Sequence, residues 1–413
     1  MPSIARKNLF EDIPRLLVAQ AGILFAVTLV TVQTGVLKGF TDSASLLVDR
    51  SNADLWVTSK DLVHLELTLP LNFEQLGRVQ RLKGVARAEP LVFGKVLWRA
   101  PNDRIESVIA LGFEPNGQLF QPWNIVQGDR QQVKQPYGAV TDMTNLKKLG
   151  LKGVGDRGSV GSTPVRVVAV GEGMQSIVFS SFLFMSVASA NGLISAGRES
   201  RLTCNVLPDG GLDCINRVSP RPEQERQPAP PRPPNGSDPV NYILVRVQPG
   251  TSIPDLKRRI TAVVPGSRVF TRAELARLSQ TYWRDRTGVG SILILGAIVG
   301  TIVGIATVGQ ILYASASERI REFATLKAMG ASSNVLRGII VEQSLWMALL
   351  GYLPGMGLCL GLARFATTLG IVITITPTSA ALTFAITVAM CVSSALFAIQ
   401  KVNRIDPAVV FKA

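Results

Sequence analysis

The chain has 413 residues, of which 47% are apolar, and a positive mean hydropathy, too apolar for a soluble protein of this length. Its formal charge is +14. His64 is the only histidine, which excludes a histidine-rich metal centre, and Cys204, Cys214, Cys359 and Cys391 form no C-x-x-C pair. No Ser/His/Asp, Cys/His or paired-carboxylate arrangement is present, so the chain is not expected to be an enzyme.

In chain order, residues 1–15 read as a short lead and 16–36 as a first membrane span. Ala19-Gln20-Ala21 opens the apolar run instead of following it, so this span reads as an anchor that is not cleaved. Residues 37–287 read as an α+β domain inserted between the first and second spans. Within it, Ser43–Val48 continues the first helix outward, Ala53–Ser59 is a strand, and Asn72–Arg81 is a helix showing Phe73, Leu76 and Val79 on one face. Val85–Trp98 and Ile105–Phe113 are β-branched strands. The glycine-rich run from Gly138 to Val170 reads as a β-rich inserted subdomain. Leu149–Asp156 has neither the Gly-Lys-Ser/Thr ending nor the following helix of a phosphate-binding loop.

Residues 196–239 form an insert in which Pro208-Asp209-Gly210-Gly211 makes a turn midway between Cys204 and Cys214. On the oxidising side of a membrane a disulfide between these two cysteines would close the hairpin. The prolines that follow read as an extended surface excursion. A strand at Tyr242–Val247, a helix from Ser252 to Ala262 and a strand at Gly266–Phe270 repeat the earlier strand–helix–strand order. One α+β subdomain built from both ends of the inserted domain is therefore expected. Thr271 and Glu274 have capping-box spacing and start a helix with Leu275, Leu278 and Tyr282 on one face, running almost directly into the second span. The domain's excess of basic residues suits acidic partners, anionic lipid head groups or a generally solvated surface. With little aromatic interleaving and no recognisable module, nucleic acid is not an expected partner.

The second span covers 288–312, a cytoplasmic loop 313–344, the third span 345–363, an outer loop 364–379, the fourth span 380–399 and a tail 400–413. Arg6, Lys7, Arg15, Arg319, Arg321, Lys327, Arg337, Lys401 and Arg404 then lie on one side, which places both termini in the cytoplasm and the large domain outside it. Tyr282-Trp283 fits an outer interfacial belt. Gly296, Gly300 and Gly304 form a small-residue ridge on the second span; Gly351 and Gly355, and Gly357 and Gly361, do so on the third, where Pro354 introduces a kink. No span carries a mid-membrane ionisable residue, which disfavours a proton-coupled carrier. Between the second and third spans, Glu318, Arg319, Ile320, Arg321, Glu322, Phe323, Leu326 and Lys327 read as an amphipathic helix stopped by Gly330. Such a helix is either a solvated, topology-setting turn or a docking element.

Glu318–Ser332 resembles the inner coupling motif of MacB/FtsX-type ABC permeases, and Arg404-Ile405-Asp406-Pro407-Ala408 is similar to their C-terminal signature. One span, a large outer domain and three further spans is also their layout. Tyr282-Trp283, Gln310–Tyr313, Ala324–Gly330 and Gly351–Gly355 resemble the DevC branch, the heterocyst-type exporter permeases of cyanobacteria, while the insert at 196–239 looks like an addition. The resemblance implies a homodimeric, multi-pass inner-membrane permease that exports a lipid, glycolipid or other hydrophobic cargo. ATP and Mg would be bound by a separate cytoplasmic ABC ATPase, leaving no cofactor in this chain. Ile320 and Phe323 would be the buried anchor on that ATPase. A periplasmic adaptor and a TolC-type outer-membrane channel would complete a tripartite assembly, with membrane lipid as a further contact. An FtsX-like signal coupler and a lipoprotein-releasing permease are the competing readings.

Overall fold

The computed structural model describes residues 13–195, 199–206, 212–219, 230–318, 325, 329, 332–368 and 372–403. The lead at 1–12, the turn between Cys204 and Cys214, residues 220–229 of the proline-rich stretch and the Arg404–Ala408 signature lie outside the described residues. The chain divides into two compact units, one of Thr41–Trp283 and one of Met1–Phe40 with Arg284–Ala413.

Helix α1 covers Ile13–Asp49 and is followed by β1 (Leu55–Ser59), β2 (Leu71–Asn72), α2 (Phe73–Gln80), β3 (Val85–Arg99), β4 (Ile105–Phe113) and β5 (Ile125–Gly128). Next come β6 (Gly138–Asp142), β7 (Arg157–Val160), β8 (Thr163–Gly171), β9 (Ser181–Ser186) and α3 (Val187–Ser195). A hairpin of β10 (Glu199–Val206) and β11 (Leu212–Ser219) precedes β12 (Pro239–Val240) and β13 (Tyr242–Val247). The chain continues through α4 (Ile253–Val263), β14 (Ser267–Thr271), α5 (Arg272–Arg286), α6 (Val289–Glu318), α7 (Ser333–Thr368) and α8 (Pro377–Asn403).

One long sheet organises the first unit, in the order β14-β1-β13-β3-β4-β9-β6-β8-β5, with β7 pairing both β3 and β8. The four strands β14, β1, β13 and β3 are each antiparallel to their neighbours. With α2 joining β1 to β3 and α4 joining β13 to β14, they make a ferredoxin-like β-α-β-β-α-β arrangement. Side chains alternate across a strand, so Leu55 and Val57 meet Leu76 and Val79 of α2 and Leu256 and Ile260 of α4 on one face. Trp56, Leu244 and Phe270 point to the other face, into a core shared with Leu47 and Val48 of α1 and Leu275 of α5. The Trp56 ring meets the Tyr242 ring edge-on at 5.4 Å, and the buried Tyr242 hydroxyl donates to the Leu65 carbonyl.

The helix expected at Asn72–Arg81 begins one residue later, because Asn72 is its cap. The Asn72 Oδ1 accepts from the Gln75 N–H and the Gln75 Oε1 accepts from the Asn72 N–H, both at 3.0 Å. Ser252 occupies the N-cap of α4 but makes no capping bond from its side chain. The Thr271–Glu274 box at the start of α5 is present: Glu274 accepts from the Thr271 N–H at 2.7 Å, and the Thr271 hydroxyl accepts in return at 3.2 Å. Lys257 also pairs with Glu274, and that bond holds the Glu274 carboxyl below the usual carboxylate range.

Beyond the ferredoxin-like half, pairings run β3-β4-β9-β6-β8-β7 and back to β3, where Trp98 faces Val160 and Arg99 faces Ser159. The sheet therefore closes on itself around Trp98, Val108, Val165, Val167, Leu183 and Met185, with Ala190 and Leu193 of α3 in the same core. The glycine-rich run at 149–158 wraps the buried Trp98 indole. Leu149 supplies the carbonyl for its N–H at 3.0 Å, and a Cβ at Gly158 would lie 2.1 Å from the ring. Gly158 thus serves close packing, whereas Gly155, with φ of +98° and nothing within 4 Å of a Cβ there, serves a turn. In the β10–β11 hairpin the backbone register sets Cys204 directly opposite Cys214.

Among the described residues four helices are long and apolar enough to cross a membrane: α1, α6, α7 and α8. In the helical unit Ala19, Ile23 and Val27 of α1, Val308 of α6, Met347 of α7 and Met390 of α8 share one core. The Ser394 hydroxyl of α8 donates to the Ile305 carbonyl at 2.9 Å, and the Tyr352 hydroxyl of α7 donates to the Ala380 carbonyl at 2.9 Å. These bonds satisfy hydroxyls that have no water to turn to in a bilayer core.

Candidate functional site

The glycine ridges expected on the second and third spans converge on one partner, α1. A Cβ at Gly296 would lie 2.7 Å from the Gln33 amide, one at Gly300 2.7 Å from Leu29, and one at Gly304 2.8 Å from the Ala26 Cβ. On α7, a Cβ at Gly351 would meet Ile23 at 2.4 Å and one at Gly355 would meet Val27 at 3.0 Å. Missing side chains on α6 and α7 thus let both helices press against overlapping stretches of α1, residues 26–33 and 23–27, the geometry that small-residue motifs permit. Gly357 and Gly361, which the sequence offered as a second ridge, face open space in this chain. The receiving residues on α1 carried no motif and were missed.

At its far end α1 enters the first unit, where polar contacts fix it. The Gln280 side-chain amide of α5 donates to the Ser45 hydroxyl at 2.8 Å, and that hydroxyl donates to the Asp49 carboxylate at 2.6 Å. From a third element, the Ser176 hydroxyl donates to the Ser43 carbonyl at 3.1 Å. Ser43 and Ser45 are buried, so each bond is shielded from competing water. The sequence placed Ser43 and Ser45 only in a continuing helix, because a serine in a helix carries no signal of a partner 133 or 235 positions away. Removing either partner of the Gln280–Ser45 bond, by Gln280→Ala or Ser45→Ala, is expected to cost about 1 kcal/mol. A double-mutant cycle by thermal unfolding should then return a coupling of similar size.

The two connections between the units differ in kind. Helix α1 is unbroken over its 37 residues. As the sequence led one to expect, α5 runs almost directly into the second span: it ends at Arg286 and α6 starts at Val289. Gly288 between them has φ of +70°, a left-handed conformation that ends a right-handed helix. Helix α1 is thus helical throughout, whereas Thr287 and the left-handed Gly288 separate α5 from α6.

His64 lies against the end of α5. Its ring stacks on Tyr282 at 4.6 Å and meets Trp283 edge-on at 5.4 Å, while its Nδ1 accepts from the Glu66 N–H at 3.3 Å. Burial pushes its pKa below the ordinary value, the Glu66 carboxylate pulls it back up, and Lys95 adds to the depression. The folded state thus favours neutral imidazole. This stability is full above the unfolded pKa of about 6.5 and is lost as pH falls through the lowered folded value. The melting temperature of the first unit is expected to fall between pH 7 and pH 5, and His64→Phe, which keeps a ring in place, is expected to flatten that slope. Glu274 and Asp255 have lowered pKa values and titrate below this window. An equal slope in His64→Phe would show that the imidazole is not responsible.

The expected coupling helix is represented by few described residues. Glu318 is the last residue of α6, and the Met329 N–H donates to the Thr325 carbonyl at 2.9 Å, a helical i to i+4 bond. Arg319, Ile320, Arg321, Glu322, Phe323, Leu326, Lys327 and Gly330 lie outside the described residues. Among the described residues no three His, Cys, Asp or Glu side chains come together to hold a metal ion.

Comparison with known proteins accounts for both units. The MacB-like periplasmic core domain family matches residues 16–263, and the FtsX-like permease C-terminal family matches residues 292–407. No curated protein matches the chain in sequence. The periplasmic region of MacB from Actinobacillus actinomycetemcomitans is 9% identical, with a TM-score of 0.35 over 56% of this chain and 94% of that one. The extracellular domain of the noncanonic ABC-type transporter YknZ from Gram-positive bacteria is 11% identical, with a TM-score of 0.32 over 53% of this chain and 99% of that one. The core-domain family alone spans more than half of the sequence, and the chain therefore belongs to the MacB/FtsX-like ABC permease family.

Proposed function

We propose that this chain is the permease subunit of an ATP-driven exporter of the tripartite efflux type, working as a homodimer with two copies of a separate cytoplasmic ABC ATPase. The observation that carries this reading is α1: one uninterrupted helix is gripped by the glycine faces of α6 and α7 in the helical unit and by Gln280 and Ser176 in the other. A rod held at both ends transmits displacement, and a permease that does mechanical work on an outer domain needs such a part. The sequence lacks a phosphate-binding loop, so ATP and Mg fall to the partner.

The 318–332 segment is the docking element for that ATPase, with Ile320 and Phe323 as its anchor. The outer domain meets a periplasmic adaptor and through it a TolC-type channel. Spans without mid-membrane charge suit a lipid, glycolipid or other hydrophobic cargo taken from outside the cytoplasm. A DevC-like, cyanobacterial plasma-membrane setting with both termini in the cytoplasm fits the motifs and the basic loops. A Cys204–Cys214 disulfide would staple the β10–β11 hairpin on the oxidising side.

Affinity purification in detergent after cross-linking tests the assembly. An ABC ATPase and a periplasmic adaptor should be recovered with the wild-type chain, and Phe323→Asp should lose the ATPase while keeping the adaptor. Recovery of a wall hydrolase in place of the adaptor would assign the chain to signal coupling, and recovery of neither partner would refute the exporter.

A further inference from the structure

We propose that the hairpin at residues 62–69 is a lipid-contact element, seated in the interfacial layer of the bilayer on the side of the large domain. The hairpin is tight: the Leu67 N–H donates to the His64 carbonyl at 2.9 Å and the Val63 N–H to the Leu67 carbonyl at 3.0 Å. Leu62 and Leu65 are buried in the core, and water-facing side chains beside them would ordinarily be polar. Instead Val63, Leu67 and Leu69 are 43%, 55% and 57% exposed. Three large apolar side chains bared within seven residues form a cluster, unlike the single exposures common on soluble surfaces.

Chain length places this cluster near the membrane. His64 stacks on Tyr282 and touches Trp283. From Trp283 to Val289, where the apolar helix α6 begins, is a path of six residues, which reaches at most roughly 20 Å even fully extended. Arg284–Arg286 are still helical, which shortens that path further. Tyrosine and tryptophan favour the headgroup boundary, and Arg284 and Arg286 follow Trp283 directly along the chain. Three side chains bury far less area than the roughly 1,000 Å² a specific protein interface needs. They are sufficient for the shallow insertion of about 5–10 Å typical of interfacial elements. Lipid is therefore the occupant that chemistry and position favour over a second copy of the chain.

Contact quenching tests this. The full-length protein is placed in phosphatidylcholine–phosphatidylglycerol nanodiscs containing acyl-brominated lipid, with an environment-sensitive fluorophore on Val63→Cys, Leu67→Cys or Leu69→Cys. Leu97→Cys, an exposed apolar position on β3, is the control, and labelled wild-type protein corrects for the native cysteines. Quenching at positions 63, 67 and 69 is expected to be at least about twofold stronger than at position 97, consistent with shallow immersion. Equal quenching at positions 67 and 97 would overturn the proposal. Disulfide cross-linking of two copies through Leu67→Cys would overturn it as well, assigning the hairpin to a contact between copies.

Discussion

Gly304→Leu is expected to unseat α1 from the helical unit and to lower the stability of that unit by about 3 kcal/mol, the upper end of overpacking costs. A Cβ at this position would lie 2.2 Å from the Met390 sulfur and 2.8 Å from the Ala26 Cβ. The methionine is flexible and can swing away, at the cost of a buried contact in a core where it is almost fully covered. Ala26 cannot, because its Cβ is fixed to the backbone of α1, so the helices must separate. Leucine at Gly361 is the matched control, since nothing lies within 4 Å of its Cβ direction. Melting in detergent, followed for both variants, should drop for Gly304→Leu and stay near wild type for Gly361→Leu. Equal melting temperatures would show that the α1–α6–α8 junction is looser than its distances indicate.

Inserting Gly-Pro between Phe40 and Thr41 is expected to abolish export while leaving expression and ATPase binding intact. Proline removes a backbone donor and clashes with the preceding turn, and glycine adds freedom, so the two together break α1 where it passes from one unit to the other. The same insertion after Thr287 falls at the existing joint next to Gly288 and is expected to be tolerated. Transport in proteoliposomes with the partner ATPase separates the two variants. Retained export with the α1 insertion, or loss of export only with the Thr287 insertion, would move the lever from α1 to α5.

Features coded by short spacing were legible in the sequence. Thr271 and Glu274 announced their capping box because both partners sit within one turn. The apolar runs of α1, α6, α7 and α8 announced themselves because a bilayer demands length above all. Closure of the sheet through β7 was illegible: β7 has four residues, and its link to β3 rests on Trp98 facing Val160 and Arg99 facing Ser159. The joint at Gly288 was hidden too, since a glycine at the mouth of an apolar run reads equally well as the first residue of the span. Likewise the ridges on α6 and α7 were visible as glycines, but their shared target was not. Gln33, Leu29, Ala26, Ile23 and Val27 are ordinary residues for any membrane helix.

The strand order of the ferredoxin-like half has a consequence for biogenesis. Leu55 of β1 pairs with Thr271 of β14 and with Val245 of β13, so its neighbours on both sides are made late. At a synthesis rate of about 5–20 residues per second, β1 waits roughly ten to forty seconds with both edges unpaired. The strands from β3 to β9 that close around Trp98 are all complete well before β13 appears, so that ring can form first and shelter one edge of β3. During the interval β1 offers an open template to any extended segment nearby. A helper protein that holds emerging strands outside the membrane would act in this window, before the last strand of the sheet arrives.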